Sequence, residues 1–126
     1  LKVIYIAGPY TGTTHDHNSF AEIHANIMHA RANAIDVMRL GGCIALTPHL
    51  NAFHMELDFC GDQDFWYNAD LELLRRCDAV FLVPGWEKSK GANLEKDFAE
   101  KNRIPVFTDL EHLRIWLEQL PFEHGA

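Results

Sequence analysis

The chain has 126 residues, 48% of them hydrophobic and 23% charged, with a formal net charge of −7. That length suits one domain over residues 1–126 with a single core. The acidic balance argues against a nucleic-acid polymer as partner, which needs a basic surface, but leaves room for a small phosphorylated ligand held by N–H donors.

No apolar run approaches the ~20 residues of a membrane span, and no signal-peptide pattern is visible. Cys43, Cys60 and Cys77 are an odd number without CxxC spacing. Free thiols in a reducing cytoplasm are the simplest expectation. The first residue is Leu1 rather than Met, so a trimmed start is expected.

Residues 2–7, with Val-Ile-Tyr-Ile at their centre, predict the first strand. Gly8-Pro9-Tyr10-Thr11-Gly12 follows as a turn, then a polar loop over 13–18 carrying His15, Asp16 and His17. Ser19 is a good N-cap, with Glu22 placed to complete a capping box. Phe20, Ile23, Ile27, Ala30, Ala34 and Val37 predict a long amphipathic helix, stopped by Gly41-Gly42. Residues 43–46 predict a second strand, ended by Thr47-Pro48. Residues 49–64 have the weakest pattern: a loop, or a loop with a short helix near 52–57. A connection of that length is often a functional lid.

A helix is predicted over 63–76, with Leu71 and Leu74 inward. Residues 79–83 form an apolar run expected of a strand covered on both faces, opened by Asp78 and ended by Pro84-Gly85. After a polar turn at Ser89-Lys90-Gly91, residues 92–102 show helical spacing, which puts Glu95 in a first turn. Residues 104–107 predict a fourth strand. Thr108 is the expected cap of a last helix with Leu110, Leu113, Leu117 and Leu120 as its stripe; the tail is expected to fray. This alternation implies a doubly wound parallel sheet of four or five strands with helices on both faces, an α/β class.

In such a fold the strand ends converge on one edge, where ligands bind. There the turn at residues 8–12, Pro48-His49 and residues 85–95 would meet. Free N–H groups and the dipole favour an ionised carboxylate in a helix's first turn by roughly 0.3–1 kcal/mol. Each candidate has a plain reading as well. Glu95 can merely suit the dipole, Asp70 can be a solvated helix residue, and Tyr5 can be core. Trp86 serves equally for packing or for stacking a ring, and Ser89 and Gly91 can be turn residues. The Gly8–Gly12 turn is neither GxGxxG nor a Walker loop. His15-x-His17 and His49 with His54 lack zinc-site spacing, so solvated loop histidines are expected. No Ser-His-Asp order or GxSxG elbow occurs.

Three stretches together resemble the nucleoside 2-deoxyribosyltransferase superfamily: Tyr5-Ile6-Ala7-Gly8-Pro9-Tyr10-Thr11-Gly12, Asp70-Leu71-Glu72-x-Leu74 with Cys77-Asp78-Ala79 close behind, and Ser89-x-Gly91-x-x-x-Glu95. That superfamily includes base-exchanging transferases, nucleoside 5′-monophosphate N-glycosidases and CMP hydrolases. The resemblance implies a flavodoxin-like fold and a retaining mechanism; no metal or cofactor is expected. It casts Glu95 as nucleophile toward C1′ of the sugar, Asp70 as acid or hydrogen-bond donor near the departing base and Tyr5 as the group orienting the nucleophile. Ser89 stands where the transferases carry an acid for the 5′-hydroxyl and the monophosphate hydrolases carry serine. A hydroxyl can donate to a phosphate that a carboxylate would repel. The implied substrate is therefore a nucleoside 5′-monophosphate, with Gly8, Pro9, Tyr10, Thr11, Gly12, His49, Trp86, Ser89 and Gly91 lining its site.

Pro9-Tyr10 and Asn93-Leu94 depart from common members of that family. Its members are commonly dimers or larger, so a homodimer or higher homo-oligomer is implied, with Trp116 and Phe122 suited to an interface and Trp116 equally to the core. Three rivals remain: a base-exchanging transferase, a non-catalytic nucleotide-binding module and a purely structural domain.

Overall fold

The computed structural model describes residues 1–11, 19–51, 53–55 and 63–119. Gly12, His15, His17, Cys60, Leu120 and Phe122 lie outside the described residues.

Four strands form one sheet: β1 (Lys2–Ala7), β2 (Cys43–Leu46), β3 (Ala79–Leu82) and β4 (Val106–Phe107). Their order is β2-β1-β3-β4, and every pairing is parallel. Tyr5 lies opposite Leu46 on one side and Val80 on the other. The helices are α1 (Phe20–Met38), α2 (Pro48–Asn51), α3 (Gln63–Leu74), α4 (Lys90–Lys101) and α5 (Leu110–Gln119).

Strand side chains alternate between faces, as the twofold period of a strand requires. Ile4, Ile6, Phe81 and Val83 pack with Ala30, Ala34 and Val37 of α1 and Leu113 of α5. Tyr5, Ala7, Val80 and Leu82 pack with Leu74 of α3 and Ala92 and Ala99 of α4. The fold is thus a flavodoxin-like, doubly wound sheet of four strands. Burial on both faces explains why the central strands read as unbroken apolar runs. No helix among the described residues is long and apolar enough to cross a membrane.

Several boundaries differ from expectation. α4 begins at Lys90, two residues early, because Ser89 caps it: the Ser89 Oγ accepts from the Ala92 N–H at 3.1 Å. A short helix follows β2 directly from Pro48, where a missing N–H is harmless; the helix expected near residues 52–57 falls partly outside the described residues. Asp109, not Thr108, caps α5, its Oδ1 accepting from the His112 N–H at 2.8 Å. β4 is confined to two residues. Phe20 is 56% exposed rather than part of the core stripe, and stacks on the His54 ring at 4.2 Å. Trp116 is half-buried and packs on Phe107, with ring centroids 5.5 Å apart.

Candidate active site

β1 and β3 are neighbours whose following helices, α1 and α4, pack on opposite faces of the sheet. That reversal makes a topological switch point, and the carboxyl edge beside such a point is the usual ligand position in open α/β sheets. The tight end of β1 is made possible by Gly8, because a Cβ there would sit 2.4 Å from Val83 Cγ2. Any larger residue would force the Val83 side chain or one of the two strand ends to shift.

Tyr5 points to the α3/α4 side of the sheet, fully buried, and its hydroxyl donates to Glu95 Oε2. Glu95 is 8% exposed. It is the sixth residue of α4 and so lies in the second turn, not the first. The dipole falls off within a turn, so its support for an ionised Glu95 is weaker than expected from the sequence. Burial instead pushes Glu95 up to about 8; the Tyr5 hydrogen bond opposes that rise and the Asp70 charge adds to it. Asp70, half-buried on α3, is lifted by burial to about 6. Burial, then Glu95 and Asp70, hold the Tyr5 phenol well above 10, so it remains a donor. At neutral pH the two carboxyls therefore share about one proton, and their titration belongs to the pair.

The turn after β1 is tied down by three elements. His49 Nε2 lies 2.8 Å from the Pro9 carbonyl, and the Tyr10 and His49 rings are 5.6 Å apart. Asn26 of α1 donates to the carbonyls of Tyr10 at 2.9 Å and Thr11 at 3.3 Å. The Tyr10 hydroxyl accepts from the His54 N–H at 3.2 Å. One turn along α1, His29 Nε2 reaches the Pro84 carbonyl at 3.0 Å, which links the loop after β3 to the same helix.

His49 and His54 are both buried, not the solvated loop residues expected. Burial lowers the His49 pKa against the opposing pull of the Pro9 carbonyl, so the ring is neutral. His54 Nε2 pairs with His24 Nδ1 at 3.0 Å. Among the described residues no three His, Cys, Asp or Glu side chains form a metal-binding group.

Gly85, at φ +94°, turns the chain into the short 3₁₀ segment Trp86–Lys88. Trp86 is half-buried against the Tyr5 side of the core. Asn93 Nδ2 donates to the Ser89 carbonyl at 2.8 Å and the Glu87 carbonyl at 3.1 Å, fastening this turn to α4. The N–H groups of Lys90 and Gly91 open the helix and have no carbonyl one turn behind them. Ser89 Oγ uses a lone pair on Ala92 and keeps its own hydrogen for another acceptor.

Tyr5, Asp70 and Glu95 thus come together, and the turns carrying Pro9, Tyr10 and Thr11, His49, and Trp86, Ser89 and Gly91 all follow the carboxyl ends of strands. Gly8 serves packing. Sequence reasoning missed Asn26, His29 and Tyr67. Tyr67 had one available signal: it precedes Asp70 by three residues and shares its helix face. A separate groove of about 410 Å³, lined in part by Val106, Phe107, Ile115 and Trp116, opens at β4 and α5 and holds none of these groups.

No curated protein matches the chain. A family model does match residues 2–108, a span that contains Tyr5, Asp70, Glu95 and the turns around them. The chain belongs to the family described as Domain of unknown function (DUF4406).

Proposed function

We propose that the chain cleaves the N-glycosidic bond of a nucleoside 5′-monophosphate and releases the free base through a covalent glycosyl–Glu95 intermediate. The observation that carries this reading is the buried Glu95 carboxyl, held by the Tyr5 hydroxyl and coupled to Asp70. Two carboxyls sharing one proton meet the needs of retaining glycoside chemistry: one ionised nucleophile and one acid.

In the proposed step the Glu95 carboxylate bonds to C1′ as the C1′–N bond breaks. Asp70 gives its proton to the departing base. Water then attacks C1′, returns a proton to Asp70 and frees Glu95. In the empty site the more buried Glu95 holds the shared proton. Positive charge developing at the sugar favours the reverse distribution, with the proton on Asp70. The Tyr5 hydrogen bond, which favours the ionised Glu95, acts in the same direction.

Ser89 and the first N–H groups of α4 would receive the phosphate, flanked by exposed Lys88 and Lys90. From Ser89 to Glu95 the helix rises about 9 Å, and side chains lean toward the helix N-terminus. The gap this leaves suits a pentose between its phosphate and its anomeric carbon. The reading extends to a cytoplasmic setting, supported by free thiols at Cys43 and Cys77, and to a homodimer or higher homo-oligomer.

Incubation with ribo- and deoxyribonucleoside 5′-monophosphates tests it. Free base is expected from at least one, and Glu95→Gln is expected to reduce release at least 10³-fold, on the order of a lost nucleophile. An added acceptor base separates hydrolysis from base exchange. A folded wild-type chain that cleaves neither monophosphates nor nucleosides contradicts the proposal.

A further inference from the structure

Gly91 sits inside the first turn of α4 with a φ outside the left-handed region. Its backbone therefore needs no glycine. Glycine at such a place weakens a helix by roughly 0.5–1 kcal/mol relative to alanine. The reason for it is steric: a Cβ on Gly91 would meet Cε1 of Tyr67 at 3.3 Å and Cδ1 at 4.0 Å, with Ser89 Oγ at 3.9 Å from the same point. The Tyr67 ring edge thus occupies the space above Gly91, next to the Ser89 hydroxyl. Tyr67 is also one turn before Asp70 on α3 and so shares its face.

We infer that Tyr67 is a positioning residue that walls the site between the Ser89 end and the Asp70 end and fits it to a pentose 5-phosphate. This rests on the reading of the preceding subsection. The ring edge lies beside the turn that would hold the phosphate, and Asp70, the acid that would face the base, follows one helical turn on along the same face of α3. A rigid aromatic wall there fixes the depth at which the sugar sits against Glu95. Glycine at 91 lets that wall approach the helix backbone closely. A side chain at 91 displaces the ring by a few tenths of an ångström and narrows the same space.

Two measurements test the assignment. In turnover with a nucleoside 5′-monophosphate, Tyr67→Ala is expected to raise KM about tenfold or more, with kcat changed less and the pH profile kept. Gly91→Ala is expected to raise KM in the wild-type background and to have little further effect beside Tyr67→Ala, as for residues acting through one contact. In calorimetry, ribose 5-phosphate and 2-deoxyribose 5-phosphate should bind Glu95→Gln protein and bind at least tenfold more weakly when Tyr67→Ala is added. Tyr67→Phe should retain both properties, because the ring and not the hydroxyl makes the Gly91 contact. If the wild type turns over and Tyr67→Ala keeps its KM and sugar-phosphate affinity, losing only thermal stability, this inference alone is overturned. A wild-type chain that neither releases base nor binds sugar phosphate overturns both readings.

Discussion

Glu95 is a carboxyl that the fold disfavours as an anion. Burial raises it to about 8 and raises Asp70 to about 6. If the singly protonated pair is the reactive form, kcat/KM should trace a bell with limbs near those two values and a maximum near neutrality. A plateau across that range would argue against carboxyl-pair chemistry. Tyr5→Phe removes the bond that favours ionised Glu95, so the alkaline limb should move up and activity should fall roughly 10–100-fold, as for a hydrogen bond to a charged group. The same burial makes a stability prediction. Both groups bind their protons more tightly folded than unfolded. The stability they contribute is present below the ordinary carboxylate range and is lost as pH rises through about 6 for Asp70 and about 8 for Glu95. Glu95→Gln should therefore match the wild type near pH 5 and exceed it near pH 9, by on the order of 2–4 kcal/mol. Urea melts at the two pH values check this; an equal difference at both would mean Glu95 is not a buried, titrating group.

At the scale of elements, the site depends on how closely strand and helix ends approach. Gly8→Ala places a methyl 2.4 Å from Val83 Cγ2. Overpacking of this kind should cost about 1–3 kcal/mol in denaturant melts. Val83→Ala in the same chain should recover part of that loss, because the two residues share one contact. Additive losses would place the strain elsewhere.

The element scale also shows what the sequence made legible. Strands with both faces buried, the Ser19 cap and the Gly41-Gly42 stop were readable because local chemistry and tertiary demand agree there. The onset of α4 was misread because Ser89 looks like a turn residue until its Oγ is seen bonding Ala92. β4 is shorter than residues 104–107 predict because the Ile104 N–H turns back to the Ala99 carbonyl and Pro105 has no N–H, so that only its carbonyl joins the ladder, accepting from Val80. Tyr5, Asp70 and Glu95 could be named from spacing and resemblance. The resemblance also pairs Tyr5 with Glu95, but residue patterns alone could not, since that contact spans ninety positions. Asn26 and His29 went unseen for a similar reason: they serve loops after two different strands.

For the whole molecule, the order β2-β1-β3-β4 is what brings these groups to one edge. β1 supplies Tyr5 and the Pro9–Thr11 turn, β2 leads into His49, and β3 leads into Ser89 and Glu95. α3 contributes Asp70 by packing beside α4. The net charge of −7 gives the molecule no overall attraction for an anion such as the proposed nucleotide. Binding of an anionic substrate must come from local donors such as those at the start of α4. The central claim is that Glu95 bonds covalently to a sugar. Rapid quenching of the chain with a turned-over nucleoside 5′-monophosphate, followed by intact-mass and peptide mass spectrometry, tests it most directly. The account predicts a mass gain of one pentose phosphate residue, located on Glu95 and absent from Glu95→Gln protein. Base release with no adduct on Glu95, undiminished in the Gln variant, would contradict it.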